Sequence, residues 1–335
     1  MSRLRPCSPG LVPALLVAVA LLAGCASPAA ATPSHSPDAA SSSDPASPPA
    51  LSSPSPLPPS AQQPSTSPAG PSPSTTPLSG PGRSWGFAGG RIPCPGRGGG
   101  GSSGGVTAAS TWNWAGYVAR AGAGRVGCVE GSWTEPDVQC DGLHAQAVGV
   151  WVGVDGVGNE PLDYGTLVPL AQVGMRATCS IGRAGDAYHV AWYQFLPDMV
   201  ASVDFDLGAA PGDQMWARVS WSDGQFEADV VDLTQRTGRA HEWAIPSAPR
   251  STAEWVVERL GTNCGSFACQ MQLADFGTIA LDGAATIDGA RYPLAALPGA
   301  LVRNDIVYPG SPRRTLATTS PIGPHGFTVT WKGPA

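Results

Sequence analysis

From about Ala108 onward, the chain consists of short apolar runs rich in β-branched and aromatic residues, separated by Gly, Pro or Asp. Turn signals recur about every 8–15 residues, among them Asp155-Gly156, Pro211-Gly212, Asp223-Gly224 and Asp288-Gly289. No window keeps an apolar period of 3.6 residues, as an amphipathic helix would. The pattern predicts an all-β fold, an antiparallel β-sandwich or barrel. Ten or more such runs fit two large packed sheets better than a seven-stranded immunoglobulin-type domain.

The N-terminus has the features of a secretory signal. Arg3 and Arg5 precede an apolar run, 11–22, that is shorter than the roughly 20 residues needed to span a bilayer. Leu22-Ala23-Gly24-Cys25 resembles a bacterial lipobox, so residues 1–25 are predicted to be a signal peptide with Cys25 as the lipidation site. The alternative is an ordinary cleaved signal near Ala29–Ala31. Both readings place the mature protein outside the cytoplasm, secreted or lipid-anchored at the bacterial cell surface.

Two stretches of low complexity follow the signal. Residues 26–82 are almost entirely Ser, Pro, Ala and Thr, and such a segment is predicted to be a disordered tether. Residues 83–107 are Gly-rich and are predicted to continue as a linker. The folded domain is therefore expected at 108–335, and its length is sufficient for one sizeable core.

Composition and cysteine usage exclude several functions. Charged residues make up 13% of the chain, the net charge is −6 and Lys332 is the only lysine, so no basic stripe for nucleic acid is present. The five histidines are scattered, with no CxxC pair and no HExxH motif, so no metal site is expected. Six cysteines after Cys25 predict three disulfides in an oxidising compartment, with 15 possible pairings. They are Cys94, Cys128, Cys140, Cys179, Cys264 and Cys269.

The stretch Ser251–Arg259 is typical of a strand. Because side chains alternate along a strand, Glu254 and Glu258 are expected on one face and Trp255 on the other. The two glutamates lie roughly 13 Å apart along the strand at ~3.3 Å per residue. A glycosidase pair needs about 5–9.5 Å. Glu258 therefore requires a partner from a neighbouring strand, and Gln172 is the candidate, although a glutamine there could also be a sheet-edge residue bonded to water.

Other catalytic signatures fail. The sequence Gly122-Ala-Gly-Arg-Val-Gly127 matches GxGxxG, but a strand-like segment with Cys128 follows where a dinucleotide fold needs a helix. The chain has no GxSxG nucleophile elbow. It also has no pair of Asp-Thr-Gly or Asp-Ser-Gly turns, so a pepsin-like dyad is not expected.

Seven motifs follow one another in an order that resembles a known family. They are Ser110-Thr-Trp-Asn-Trp-Ala-Gly-Tyr117, Gly131-Ser-Trp-Thr-Glu-Pro136, Trp151-Val-Gly-Val-Asp-Gly156, Leu170-Ala-Gln-Val-Gly174, Ala191-Trp-Tyr-Gln-Phe-Leu-Pro197, Ala253-Glu-Trp-Val-Val-Glu258 and Leu273-Ala-Asp-Phe-Gly277. Together they resemble the glutamic peptidase family (eqolisins), specifically its bacterial members. The resemblance covers about residues 110–281, and Phe327–Trp331 is similar to the family's closing strand.

The resemblance implies a concanavalin A-like sandwich of two curved antiparallel sheets. It implies endopeptidase activity at acid pH, with Gln172 and Glu258 as a catalytic dyad and no metal or cofactor. The substrate-binding residues that it implies are Trp114, Trp151, Asp155, Trp192 and Gln194. Many relatives carry an acid where Gln194 stands, which leaves the pH profile and the subsite preference open. The resemblance also implies the disulfides Cys140–Cys179 and Cys264–Cys269, which leaves Cys94 with Cys128.

The chemistry of these two side chains agrees with that reading. A carboxylate with an ordinary pKa near 4.3 stays ionised in mild acid, where it can deprotonate water. An amide N–H of Gln172 can stabilise the oxyanion that follows. Protein or peptide substrates are then expected, with membrane contact only through the lipid anchor and a monomeric chain. The alternative is a non-catalytic, lectin-like module that binds carbohydrate or peptide, because Trp114 and Trp192 fit either a groove floor or the core.

Overall fold

The computed structural model describes residues 84–88 (backbone only), 90–100, 104–157, 169–199, 201–261, 271–308, 310 and 312–334. In these residues the regular structure is almost entirely β, with one short 3₁₀ helix at Leu294–Ala296. The strands are β1 (Ser84–Ala88), β2 (Arg97–Gly98), β3 (Val106–Thr111), β4 (Trp114–Arg120), β5 (Val126–Thr134), β6 (Gln139–Asp141), β7 (Gln146–Asp155), β8 (Leu170–Cys179), β9 (Ala184–Asp186), β10 (Tyr188–Leu196), β11 (Val203–Phe205), β12 (Gln214–Ser222), β13 (Gln225–Asp232), β14 (Thr237–Ala244), β15 (Thr252–Glu258), β16 (Gln272–Leu273), β17 (Thr278–Ile287), β18 (Ala290–Pro293), β19 (Ala300–Tyr308), β20 (Arg314–Thr319) and β21 (Phe327–Trp331).

The long strands form two layers. In the front layer the antiparallel order is β11-β10-β8-β7-β15-β4-β19. In the back layer it is β1-β14-β13-β12-β5-β17-β21. Strand β20 pairs with both β19 and β21 and so joins the layers at one side. Strands β5, β12 and β13 pack against β7, β8 and β15, which confirms the predicted antiparallel sandwich.

The core lies between the layers, and it contains the face of β15 that was predicted to be apolar. Trp255 is fully buried there, and its indole Nε1 donates to the backbone oxygen of Glu130 at 2.8 Å. A separate cluster of apolar side chains lies on the opposite, outer face of the front layer. Its buried members are Trp114, Trp151, Leu170, Trp192 and Val256. The outer face is therefore a second packed surface, and it carries the candidate site.

Part of the segment 83–107 is integrated into the sheet in the residues that the structure describes. Strand β1 pairs with β14, β2 pairs with β18, and β3 pairs with β19. Cys94 forms a disulfide with Cys128, and the Cys94 backbone N–H donates to Glu130 Oε2 at 2.7 Å. This segment, predicted as a linker, thus adds strands to the domain, while the boundary near Ala108 stays a prediction.

The disulfide predictions have two outcomes. Cys94–Cys128 and Cys140–Cys179 are formed, so both pairings are confirmed. The predicted Cys264–Cys269 pair lies outside the described residues, as do Cys25 and the tether at 26–82. Within the described part of the chain, no helix is long and apolar enough to cross a membrane.

Candidate active site

Strand register places Gln172 and Glu258 on the same face of the front layer. Glu258 lies opposite Gly149, on β7, and Gln172 lies opposite Gly153 on the same strand. Directly opposed residues share a face, and so do residues two or four apart on one strand. Both side chains therefore leave the outer face, and only β7 separates their strands.

The two side chains line one open cavity of about 490 Å³. Its walls come from strands β8, β10, β11 and β15 and from the ends of the adjoining loops. The lining residues are Gln172, Arg176, Trp192, Gln194, Ala201, Ser202, Asp204, Glu258, Leu260 and Gly261. An amide and a carboxyl group thus face the same space, which is large enough to admit part of a peptide together with water.

The carboxyl group of Glu258 is held by three N–H donors. Its Oε1 accepts from Asn113 Nδ2 at 3.0 Å and from Trp114 Nε1 at 3.2 Å, and its Oε2 accepts from Trp151 Nε1 at 2.8 Å. Burial nevertheless raises the pKa of Glu258 to about 7, against the opposing effect of these hydrogen bonds. The expectation of an ordinary pKa near 4.3 is therefore wrong, because the low-dielectric surroundings outweigh the three donors.

Gln172 is buried and makes a side-chain hydrogen bond to the neighbouring strand. Its Nε2 donates to Gln194 Oε1 at 2.8 Å, which the direct pairing of the two residues across β8 and β10 allows. Its Oε1 is also buried and has no hydrogen-bond partner among the described residues. A buried amide oxygen without a donor is a ready acceptor for water or substrate in the cavity.

The predicted substrate-binding residues fall into three groups. Trp192 and Gln194 line the cavity. Trp114 and Trp151 pack edge-to-face at 4.9 Å and direct their N–H groups at Glu258, so they lie buried behind the carboxyl group rather than on an open groove floor. Asp155 lies away from the described cavity lining, and its carboxylate accepts from the backbone N–H groups of 250 and 251, both at 2.7 Å. It fixes the start of β15.

Glu254 shares the outer face with Glu258, as the alternation predicted, but it does not line the cavity. It is fully buried, and burial raises the pKa of Glu254 well above its ordinary value. Glu254 is therefore a second buried acid beside the site rather than a partner within it.

Sequence reasoning missed three polar residues at the site. Asn113 binds Glu258 through its side chain, and its backbone oxygen accepts from the backbone N–H of Arg259 at 2.7 Å. Arg176 and Asp204 line the cavity and form an ion pair there. Asn113 lies inside one of the seven motifs, and Arg176 follows Gln172 by four residues, a spacing that puts both on one face of a strand. The pairing with Asp204 has no local sequence signal.

No group of three or more His, Cys, Asp and Glu side chains among the described residues is arranged to hold a metal ion. The polar groups at the cavity are instead an amide pair, a buried carboxyl group with three N–H donors, and an ion pair. Such a set can activate water, bind an oxyanion and hold polar parts of a ligand.

Comparison with known proteins agrees with this architecture. Two solved structures of scytalido-glutamic peptidase, one with a transition state analog inhibitor and one with a peptide-based transition state analog, are each 21% identical to this chain, with a TM-score of 0.52. Each alignment covers 67% of this chain and 100% of the other. SCP-B, a member of the eqolisin family in complex with the tripeptide Ala-Ile-His, is 19% identical over the same shares of the two chains, with a TM-score of 0.49.

The first two likenesses establish the shared fold. No curated protein matches the chain. A sequence model of the Peptidase A4 family matches residues 112–331, a range that contains β4 through β21 and every residue of the cavity lining. Because this match extends over well more than half of its length, the chain belongs to the peptidase A4 family, the eqolisin-type glutamic peptidases.

Proposed function

We propose that this protein is an endopeptidase in which Glu258 and Gln172 form the catalytic dyad. The observation that carries the proposal is that both side chains line one cavity, with Glu258 held by three N–H donors. The substrate is a protein or peptide segment lying along the outer face of the front layer. No cofactor is required by the chemistry that follows.

Glu258 acts first as a general base. A water molecule in the cavity donates one hydrogen bond to ionised Glu258 and the other to the buried Oε1 of Gln172, and this arrangement fixes its direction of attack on the peptide carbon. The proton passes to Glu258 as the C–O bond forms. Protonated Glu258 then gives it to the leaving nitrogen as the C–N bond breaks, so that acid and amine are released.

Gln172 stabilises the charge that appears on the carbonyl oxygen. Its Nε2 carries two N–H groups, and the bond to Gln194 uses one of them. The second is available for the oxyanion, and one such donor accelerates a hydrolysis by about 10²–10³. Gln194 therefore positions the amide while leaving a donor for catalysis.

The working pH follows from the pKa of Glu258. With a pKa of about 7, the ionised base is about 1% of the enzyme at pH 5 and about half at pH 7. Water activation in the substrate-free geometry is therefore expected to strengthen from acid toward neutral pH. The acid optimum implied by the family resemblance requires that bound substrate lowers this pKa. The pH profile of kcat reports the substrate complex and that of kcat/KM reports the free enzyme, so comparing the two profiles tests this requirement.

The decisive experiment compares cleavage of denatured casein and of a quenched peptide between pH 2 and 8. We expect Glu258→Gln to lose about 10²–10⁴ in kcat/KM and Gln172→Ala to lose about 10²–10³. Glu242→Gln and Gln225→Ala, on back-layer strands β14 and β13, are matched controls and should retain activity. Retention of cleavage in both site variants would remove the dyad. Retention of peptide or glycan by a wild-type protein that cleaves nothing would favour the lectin-like binding module.

We also propose that the domain works outside the cytoplasm, anchored through Cys25 at the end of the predicted tether. The two disulfides are consistent with an oxidising compartment. Mass spectrometry of the mature N-terminus tests the anchor, because a diacylated Cys25 and a free amine near Ala29–Ala31 differ in both mass and sequence.

A further inference from the structure

Arg176 is the only positively charged side chain among the described residues that line the cavity. It lies on the same row as Glu258, because both residues are opposite Gly149 on β7. Two strand spacings of about 4.8 Å put their Cα atoms about 10 Å apart. Gly149 has no side chain, and Leu260 packs over the position between them, with its Cδ2 3.1 Å from where a Cβ would lie.

The guanidinium group of Arg176 has unused hydrogen-bonding capacity. Its Nη2 pairs with the Asp204 carboxylate, and its Nη1 lies 3.4 Å from Ser202 Oγ, at the long end of the hydrogen-bond range. Its Nε is buried and has no partner among the described residues. Arginine carries five N–H donors in a fixed plane. An acceptor entering the cavity can therefore bind a remaining N–H of the guanidinium group, such as the weakly used Nη1, while Asp204 stays on Nη2.

We infer that Arg176 forms a specificity subsite for an acidic side chain of the substrate, an inference that rests on the proposed peptidase function. The Cα atoms of Arg176 and Glu258 are about 10 Å apart and an extended peptide advances about 3.3 Å per residue, so Arg176 serves a residue within about three positions of the cleaved bond. A carboxylate of Asp or Glu makes a charge-assisted hydrogen bond to such a guanidinium N–H, which a neutral amide matches only weakly.

Two acidic groups of the protein face this subsite and weaken its preference for an acidic substrate side chain. Asp204 already pairs with Arg176, and Glu258 adds a negative charge when it is ionised. The preference is therefore moderate, about tenfold in kcat/KM, rather than the larger factor of an isolated arginine pocket. Removing the charge of Asp204 should increase this preference.

The test uses pairs of peptides that differ only by Glu or Gln, which have nearly the same shape. The pair is placed in turn at each of the three positions before and after the cleaved bond, and kcat/KM is measured at about pH 6, where the substrate Glu is ionised. Wild type is expected to prefer Glu at one position by about tenfold. Below about pH 4 the ratio should fall toward one as the substrate carboxyl group protonates.

Three variants assign the preference to Arg176. Arg176→Met should bring the ratio close to one while the Gln peptide is still cleaved, and Asp204→Asn should raise the ratio. Arg125→Gln is the matched control, because Arg125 also pairs with an aspartate, Asp288, but lies on an exposed surface; its ratio should stay at the wild-type value. Thermal unfolding verifies that each variant folds. If Arg176→Met does not fold, the ratio measured for Asp204→Asn tests the inference in its place.

Equal cleavage of all Glu and Gln pairs by wild type overturns the inference while leaving the peptidase function intact. An equal loss of preference in Arg125→Gln, or an unchanged ratio in Asp204→Asn, overturns it as well. Failure of wild type to cleave any peptide removes the proposed function itself.

Discussion

Replacing Trp151 by Phe should raise the pKa of Glu258 and shift the pH profile of the enzyme. Trp151 Nε1 donates to Glu258 Oε2 at 2.8 Å, whereas Oε1 accepts from two other donors. A hydrogen bond to a charged group is worth about 1.5–3 kcal/mol. One pKa unit corresponds to about 1.36 kcal/mol, so loss of this bond raises the pKa by about one to two units. The value moves from about 7 to about 8–9.

The sign follows from the role of the ionised form. A hydrogen bond donated to a carboxylate favours ionisation, so its removal makes proton release harder. If ionised Glu258 activates water, the rising limb of kcat/KM against pH moves to higher pH by the same one to two units. The assay is kcat/KM for a neutral peptide, whose own charge is constant, at half-unit steps from pH 3 to 9.

Two further tryptophan variants make the experiment selective. Trp114→Phe removes a longer bond, at 3.2 Å, from an oxygen that keeps Asn113 as a donor, so its shift should be smaller. Trp192→Phe removes an indole N–H that is buried without a hydrogen-bond partner in the described residues, so it should lower or raise the rate without moving the limb. A limb that stays in place in Trp151→Phe, or that moves equally in all three variants, would refute the assignment of that limb to Glu258.

Three other changes have defined outcomes. Gln194→Glu places a carboxyl group where Gln172 now donates at 2.8 Å, and its negative charge in the same cavity should move the rising limb of kcat/KM up by a few tenths to one pH unit; a downward shift would contradict this. His241 is buried against Tyr193 with a ring-centroid distance of 4.0 Å, and burial lowers the pKa of His241 to about 4. In the unfolded chain a histidine takes up its proton near pH 6.5, whereas folded His241 stays neutral down to about pH 4. The free energy of unfolding therefore falls by about 3 kcal/mol as pH falls from about 6.5 to 4. His241→Phe should therefore lose less stability than wild type over that window in urea unfolding, and parallel losses would exclude the effect. Replacing both Cys94 and Cys128 by Ser removes a cross-link with a sequence separation of 34, which should lower the free energy of unfolding by about 3–4 kcal/mol with little change in kcat at 25 °C; an unchanged denaturation midpoint would contradict the expectation.

Strands with clean alternation or dense β-branched content were predictable from the sequence. The stretch Ser251–Arg259, predicted as a strand, contains β15, Thr252–Glu258. Strand β5 begins in the strand-like segment that contains Cys128, but the burial of its acid Glu130 was not predictable. Glu130 of β5 is buried because Arg291 and the Cys94 backbone N–H neutralise and bind its carboxylate. Those partners are 161 and 36 residues away, so no local pattern reports them.

The candidate site was likewise predictable only in part from the sequence. Alternation along β15 correctly separated Glu258 from Trp255, and the motif order drew Gln172 into the same site. The role of Asp155 was not predictable from its motif. Its carboxylate is used by the backbone at 250 and 251, which approaches only because β15 pairs with β7. Sheet order, rather than residue type, decides whether such a carboxylate meets a ligand or a turn.

Glycines on the two central strands explain how bulky indoles and a carboxyl group fit on one face of a sheet. Gly174 lies directly opposite Trp151, and a Cβ there would be 2.1 Å from the backbone oxygen of Val150 and 2.6 Å from Trp151 Cβ. At Gly153 a Cβ would meet the Trp151 ring at 2.8 Å. The indole of Trp151 can therefore lie over backbone that carries no side chains, and its Nε1 reaches Glu258. Its N–H binds the carboxyl group and so limits the rise in pKa that the burial of Glu258 produces. The glycines of β7 and β8 thus make room for the indole that holds the Glu258 carboxyl group.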